Sequence, residues 1–189
     1  EIKGFRDFEE HEEENWWFVG RRAIIDAVLQ SLVELPVLRA LDVGCGGGGN
    51  LPLLSRYAQD VLGIDDSPHA ELLVRKRHPG FSFSRGSLFD LLSPNRSFHL
   101  VTLFDVLEHI KEDHLALRRV EELLVPGGLA LFTVPAYPFL WSKHDETLHH
   151  MRRYTKKGVI QLVSGTPGFR MRKISYFNIV AFSNNHNLG

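Results

Sequence analysis

The sequence predicts a doubly wound, mostly parallel α/β sheet with helices on both faces. Short apolar runs of strand length alternate along the chain with stretches in which apolar residues recur at helical spacing. Such alternation is typical of parallel strands joined by right-handed helical crossovers. A glycine-rich stretch, residues 44–49, separates the first apolar run from the next helical pattern. A length of 189 residues with 24% charged side chains fits one globular domain.

The N-terminal residues predict a helical and aromatic cap. Residues 1–15 are acidic and indicate a polar helix, and apolar residues at helical spacing predict an amphipathic helix over residues 20–33. The intervening Trp16-Trp17-Phe18 cannot place three adjacent aromatic rings on one helix face. We therefore expect residues 1–34 to form a cap, and residues 35–189 to form the α/β domain. Two interpretations stay open: the cap is stapled onto the domain, or its aromatic end is a lid over a ligand.

Six strands are predicted along the rest of the chain. Ser67 is a candidate N-cap for the helix after the second strand, Pro126-Gly127-Gly128 ends the helix before the fifth strand, and another helix covers residues 155–163. An insertion, residues 135–154, follows the fifth strand and can fold over the same edge of the sheet. A seventh strand is not evident. The predicted strands are Val37–Val43, Asp60–Asp65, Phe81–Arg85, His99–Phe104, Leu129–Val134 and Phe169–Phe177.

The glycine loop is the first candidate for a ligand site. Gly44, Gly46 and Gly49 match G-x-G-x-x-G, and Asp65 follows Gly44 by 21 residues, near the spacing at which a carboxylate meets a ribose. The alternative is a tight turn without a ligand. Four successive glycines make that alternative costly, because they lose conformational entropy and add no packing.

Polar residues stand at or near the ends of four predicted strands. They are Asp42, Asp65, Ser87 and Asp105. In parallel α/β sheets the ligand lies beyond the carboxyl ends of the strands, so these side chains are expected to surround one site together with the glycine loop.

With these residues in place, the chain resembles the class I S-adenosylmethionine-dependent methyltransferases, which have a Rossmann-like fold. The resemblance covers residues 38 to 134. Segments 16–22 and 144–154 are similar to a branch near the small-molecule methyltransferases of quinone biosynthesis. Four motifs carry the resemblance in the order usual for the family: Leu41-Asp42-Val43-Gly44-Cys45-Gly46-Gly47-Gly48, Gly63-Ile64-Asp65, Phe104-Asp105-Val106-Leu107-Glu108-His109-Ile110 and Leu124-Val125-Pro126-Gly127-Gly128.

The resemblance implies S-adenosylmethionine as cofactor and S-adenosylhomocysteine as product. Asp65 would accept hydrogen bonds from both ribose hydroxyls. Asp105 would lie near the methionine amine or the methyl group, although it can also cap the turn that follows. The family often has an acid near the adenine where this chain has Ser87. The expected cofactor residues are Asp42, Gly44, Cys45, Gly46, Asn50, Asp65, Asp66, Ser87, Leu88, Asp105, Val106 and Leu107.

The residues expected to bind the methyl acceptor lie in the aromatic N-terminal segment and in the insertion. A hydroxyl acceptor would need a general base, for which histidine is suited; the candidate catalytic residues are His144, His149, His150 and Tyr154. His109, which follows Glu108 after the fourth strand, is a further possible base, but the favoured interpretation is structural, with Glu108-His109 capping a turn and bonding backbone. No metal is expected, because the acids and histidines of residues 144–150 match no strong metal motif. The expected substrate or lid residues are Trp17, Phe18, Arg21, Arg22, Trp141, Arg152 and Arg153, the last two of which could equally be a solvated basic face.

Composition limits the remaining functions. A net charge of −1 gives no field that would attract nucleic acid, and Cys45 is the only cysteine, which excludes an internal disulfide. No apolar run reaches the length of a membrane span, and a cytoplasmic location is expected. The leading hypothesis is methyl transfer to a small molecule. The alternatives are an NAD(P)-dependent oxidoreductase and a non-catalytic module that binds S-adenosylmethionine.

Overall fold

The structure, a computed structural model, describes residues 16–33 and 36–177. Their centre is a five-stranded sheet in the order β3-β2-β1-β4-β5, in which every neighbouring pair is parallel. This confirms the predicted doubly wound parallel sheet. The strands are β1 (Val37–Val43), β2 (Ala58–Asp65), β3 (Ser82–Arg85), β4 (Phe98–Phe104) and β5 (Leu124–Thr133).

Helices connect the strands and carry two apolar cores. Within β1, Ala40 belongs to one core and Leu41 and Val43 to the other, because successive strand residues point to opposite faces. The helices are α1 (Trp16–Leu32), α2 (Leu51–Leu54), α3 (Pro68–Arg77), α4 (Asp113–Leu123), α5 (Lys143–Thr147) and α6 (Lys156–Ser164), with 3₁₀ turns at Leu107–His109 and Pro138–Leu140. The Ser67 hydroxyl accepts hydrogen bonds from the backbone N–H groups of His69 and Ala70, which confirms the predicted N-cap.

The two largest differences from the predicted element boundaries are at the start of α1 and the start of β5. The helix predicted from residue 20 starts at Trp16 among the described residues, so its first turn carries the three aromatic rings. The fifth strand begins at Leu124, which pairs with Phe98, and the next register pair is Leu100 with Leu129. Gly127, with φ of +80°, lies in the resulting bulge. The Pro-Gly-Gly sequence therefore kinks the start of β5 instead of ending a helix.

The predicted sixth strand, Phe169–Phe177, is wrong: these residues form no strand in the described part of the chain. A strand needs a hydrogen-bonded neighbour. The resemblance pairs the sixth strand with a seventh, for which the sequence shows no candidate. The polar helix predicted over residues 1–15 lies outside the described residues.

Candidate functional site

A cavity of about 1770 Å³ opens where the strands of the sheet end. Its walls include the glycine loop after β1, Asp65 at the end of β2 and Asp105 directly after β4. The first turn of α1 and the insertion provide further walls. The lining also runs along β5 from Gly127 to Val134 and along residues 168–177, so only part of this volume adjoins the glycine loop. The position at the carboxyl ends of parallel strands agrees with the sequence expectation.

The glycine loop has the backbone conformation that its sequence implies. Gly44 has φ of +64°, and a Cβ added there would lie 2.6 Å from Cγ2 of Val106, in the turn after β4. Both features require glycine. The third glycine of the predicted motif, Gly49, is not among the residues with positive φ; Gly48, with φ of +85°, is. Cys45 is buried and packs in one of the two cores.

Asp65 fixes the loop from the end of β2. One carboxylate oxygen accepts a hydrogen bond from the Gly46 N–H at 2.9 Å, and the other accepts one from the Ser67 N–H at 2.9 Å. Burial raises the pKa of the Asp65 carboxyl, against the opposing effect of these two hydrogen bonds. Each carboxylate oxygen has two lone pairs, so Asp65 keeps acceptor capacity toward the cavity.

Asn50 provides an acceptor at the same end of the cavity. Its side chain is 4% exposed, and its Oδ1 has no hydrogen-bond partner among the described residues. It precedes α2 but makes no side-chain cap there. A buried polar atom without a partner is costly, so Oδ1 is suited to a donor on a ligand, such as an ammonium group. Asp65 and Asn50 therefore both present acceptor oxygens at this end of the cavity.

Asp105 joins α1 to the sheet. Its carboxylate pairs with the guanidinium of Arg21, 84 residues earlier, and accepts a hydrogen bond from the Thr133 hydroxyl at 2.9 Å. Arg21 is 7% exposed and stacks over the Phe18 ring at 5.0 Å. The alternative role of Asp105 as an N-cap is wrong, because the following turn is preceded by Val106 and has no side-chain cap. The structure thus brings together one predicted cofactor residue and one predicted lid residue.

Glu108 and His109 border the cavity on the 3₁₀ turn after β4. Glu108 is fully buried, and neither carboxylate oxygen has a hydrogen-bond partner among the described residues. Burial, with the nearby negative charge of Asp105, raises the pKa of Glu108 to about 9. Burial also lowers the pKa of His109. The sequence interpretation of this pair as a structural cap is not supported for Glu108.

Ion pairs around Asp145, which is fully buried, connect residues within the insertion. Arg153 contacts both carboxylate oxygens, at 2.7 and 2.9 Å, and the Nδ1 of His150 lies 2.9 Å from one of them. Burial alone would raise the pKa of Asp145, but hydrogen bonds from Arg153, His150 and the Ser142 backbone lower it overall. Ala136 and Tyr154 form a bridge at the base of the insertion.

Two predicted functional residues of the insertion have structural partners. Arg152 donates to the Asp113 carboxylate at 2.8 Å and to the Lys111 carbonyl at 2.7 Å. The Tyr154 hydroxyl donates to Asp113 at 2.9 Å, and burial raises the pKa of Tyr154 further above its ordinary value. Both side chains attach the insertion to the start of α4, so a role in binding an acidic substrate or in proton transfer is disfavoured.

The predicted site residues fall into two groups, those that line the cavity and those that do not. Those outside the cavity lining include Asp42, which is buried in the sheet and accepts a hydrogen bond from the Thr102 hydroxyl at 2.6 Å. The predicted residues that line the cavity are Trp17, Phe18, Arg21, Gly44, Cys45, Gly46, Asn50, Asp65, Asp66, Ser87, Leu88, Asp105, Val106, His144, His150, Arg153 and Tyr154. Those that do not are Asp42, Leu107, Arg22, Trp141, His149 and Arg152.

Comparisons with known proteins identify the family of the chain. A family model described as a methyltransferase domain matches residues 12–182. A probable S-adenosylmethionine-dependent methyltransferase of Mycolicibacterium smegmatis is 29% identical over 161 residues, covering 84% of this chain and 61% of the relative. A ubiquinone biosynthesis O-methyltransferase of Azorhizobium caulinodans is 32% identical over 165 residues, covering 77% and 64%. The chain belongs to the methyltransferase-domain family.

A solved structure supports the fold. The S-adenosylmethionine-dependent methyltransferase from Mesorhizobium loti superimposes with a TM-score of 0.68 at 21% identity, covering 85% of this chain and 87% of that one. The chain spans less than two thirds of the length of the two sequence relatives. Among residues 16–33 and 36–177, no helix combines the length and apolarity needed to cross a bilayer.

Proposed function

We propose that this protein transfers a methyl group from S-adenosylmethionine to a small-molecule acceptor in the cytoplasm. The observation that carries the proposal is the meeting of the glycine loop, Asp65 and Asp105 in one cavity at the carboxyl edge of the sheet. Membership of the methyltransferase-domain family supports it. An oxidoreductase using NAD(P) finds no support in the same comparisons.

The cofactor would be held by the elements that follow β1 and β2. Gly44 and Gly46 let a ligand lie against the backbone, Asp65 accepts hydrogen bonds from ribose hydroxyls, and Asn50 accepts one from an ammonium group. When bound, S-adenosylmethionine supplies an electrophilic methyl group on a sulfonium. The chain's own residues then align the acceptor and exclude water, which is the main protein contribution to such a displacement.

The acceptor would lie between the aromatic turn of α1 and the insertion. Trp17 and Phe18 border the cavity from α1, and Tyr137 and His144 border it from the insertion. Aromatic walls favour a small acceptor with an apolar body. Residues 1–34 are proposed to act as the cap, with the Arg21–Asp105 pair fixing it to the sheet.

Calorimetric titration of the 189-residue chain with S-adenosylmethionine and S-adenosylhomocysteine tests the cofactor. We expect micromolar binding of both and none of NADH. Asp65→Ala should weaken binding by about a hundredfold, since it removes an acceptor of charge-assisted hydrogen bonds worth about 3 kcal/mol in total. Asp60→Ala is the matched control, because Asp60 lies on the same strand but pairs with Arg39 away from the cavity.

A folded protein that binds neither compound, or an Asp65→Ala variant with full affinity, would overturn the proposal. Transfer itself is tested by release of S-adenosylhomocysteine over a panel of phenolic, catecholic and amine acceptors. Binding without release for any acceptor would favour the non-catalytic module.

A further inference from the structure

The turn after β3, residues 86–90, borders the cavity beside Asp65. Strands β1, β2 and β3 lie next to one another in the sheet, and the backbone N–H of Gly86 donates to the Asp65 carbonyl at 2.9 Å. Ser87 follows directly and lines the cavity. A cofactor with its amino-acid part at the loop after β1 and its ribose at the end of β2 therefore directs its purine base toward Ser87.

Asp90 fixes the direction in which the Ser87 hydroxyl donates. Its Oδ2 accepts hydrogen bonds from the Ser87 hydroxyl at 2.5 Å and from the Ser87 backbone N–H at 3.1 Å. Both hydrogen bonds lower the pKa of Asp90, the one from the hydroxyl more strongly, so the carboxyl group is ionised at neutral pH and can only accept. Ser87 is therefore the donor, and the lone pairs of its oxygen remain available to a ligand.

The contacts between Ser87 and Asp90 also stabilise the turn, since the backbone N–H of Asp90 donates to the Ser87 carbonyl at 3.1 Å. Among the residues that the structure describes, Ser87 is the only side chain that hydrogen-bonds the Asp90 carboxylate. The Asp90 side chain is exposed and does not line the cavity, whereas Ser87 is half-buried at the cavity wall. Asp90 would therefore act on a ligand through Ser87.

We propose that Asp90 is a positioning residue that makes the Ser87 oxygen an acceptor for the exocyclic amino group of adenine. A free serine hydroxyl can donate or accept, so it would not distinguish an amino group from a carbonyl group at this position of a purine. A hydroxyl whose proton is committed to a carboxylate can only accept. A 6-oxo purine places a second acceptor there and is therefore rejected. The inference rests on the proposed function, because it concerns the base of that cofactor.

The test compares the affinities of the 189-residue chain for S-adenosylhomocysteine and for S-inosylhomocysteine, in which a carbonyl replaces the amino group of the purine, by calorimetry at neutral pH. We expect the parent chain to prefer the adenosyl compound by at least about tenfold. In Asp90→Ala this preference should fall to about one-tenth of the parent value, because the released hydroxyl can turn and donate to the carbonyl oxygen. Asp60→Ala is the matched control: Asp60 is an exposed aspartate of β2 that pairs with Arg39 and does not line the cavity, so the preference should not change.

A second variant separates the orientation of the hydroxyl from the loss of a charge or of the turn. Ser87→Ala alone should lower the preference as Asp90→Ala does, because it removes the acceptor, and it keeps the test valid if Asp90→Ala does not fold. Adding Asp90→Ala to Ser87→Ala should cause no further change, because no hydroxyl is left to orient. A purely structural role of Asp90 would weaken the binding of both compounds equally and leave the preference at the parent value.

The same titrations distinguish a failure of this inference from a failure of the proposed function. If the parent chain binds S-adenosylhomocysteine, but binds the inosyl compound equally well or keeps its preference in Asp90→Ala, the inference is overturned and the proposed function stands. A fall in preference that is the same with and without the Ser87 hydroxyl also overturns the inference alone. If the folded parent chain binds neither compound, the proposed function is overturned and this inference with it.

Discussion

The two halves of the cavity are built from the chain in different ways. The half proposed for the cofactor, the cofactor half, uses residues close in sequence: Gly44, Gly46 and Asn50 lie in one loop, and Asp65 ends the adjacent parallel strand. The half proposed for the acceptor, the acceptor half, gathers Arg21 from α1 and His150 from the insertion around the turn after β4. The first half is specified by local conformation and register, and the second by tertiary packing. Substitutions in one half should therefore leave the other largely intact.

The largest expected effect is on the acceptor half. Arg153→Leu would leave Asp145 as a fully buried charge without its bidentate partner. Loss of one partner of a buried ion pair costs about 3–5 kcal/mol. We expect that loss in the free energy of unfolding, measured by urea denaturation. Arg152→Leu is the matched control. We expect a smaller loss of stability, because Arg152 is more exposed and its partner Asp113 still accepts a hydrogen bond from the Tyr154 hydroxyl. A stability of Arg153→Leu equal to that of the parent would contradict the role assigned to Asp145.

A substitution in the glycine loop should damage the cofactor half. Gly44→Ala places a Cβ 2.6 Å from Val106 at a φ of +64°. We expect about 2 kcal/mol of combined strain and contact cost, and a weakening of S-adenosylhomocysteine binding by tenfold or more. Adding Val106→Ala should restore part of the affinity, since it removes the contact but not the strain. Hydrogen exchange in the insertion of the Gly44→Ala variant should match that of the parent, and faster exchange there would break the distinction between the halves.

The sequence revealed the two halves to different degrees, for a physical reason. The parallel sheet, the glycine loop and Asp65 follow from periodicity and local spacing, which a single segment carries. The sixth strand and the end of the helix before β5 were predicted wrongly, because they depend on which backbone groups find partners. The close approach of Glu108, His109 and His150 was missed, because the two histidines are 41 positions apart in the sequence. The run at residues 144–150 drew attention to acids and histidines of which only His150 lies beside Glu108 and His109.

A smaller effect is expected at the contact between α1 and the sheet. Arg21→Met removes the guanidinium that pairs with Asp105. The Asp105 side chain is 37% exposed, and it still accepts a hydrogen bond from the Thr133 hydroxyl. The stability cost should therefore be about 1 kcal/mol. Hydrogen exchange should become faster in α1 and remain unchanged in β1 and β2. Faster exchange throughout the sheet would show that Arg21 supports the whole domain and not the cap alone.

The smallest expected effect is at Tyr154. Tyr154→Phe removes the hydroxyl that donates to Asp113, at a cost of about 1 kcal/mol in thermal or urea unfolding. Once an acceptor is found, the rate of methyl transfer should stay within about twofold of the parent, because the hydroxyl serves the fold. A large fall in rate with unchanged stability would return Tyr154 to the catalytic residues.

The central claim is that cofactor and acceptor occupy separate halves of one cavity. A crystal structure of the protein with S-adenosylhomocysteine tests it most directly. The account predicts contacts from S-adenosylhomocysteine to Asp65 and the glycine loop, with the part of the cavity beside Glu108, His109 and His150 left open for the acceptor. A ligand bound away from Asp65, or one whose atoms fill the space beside Glu108 and His150, would contradict it.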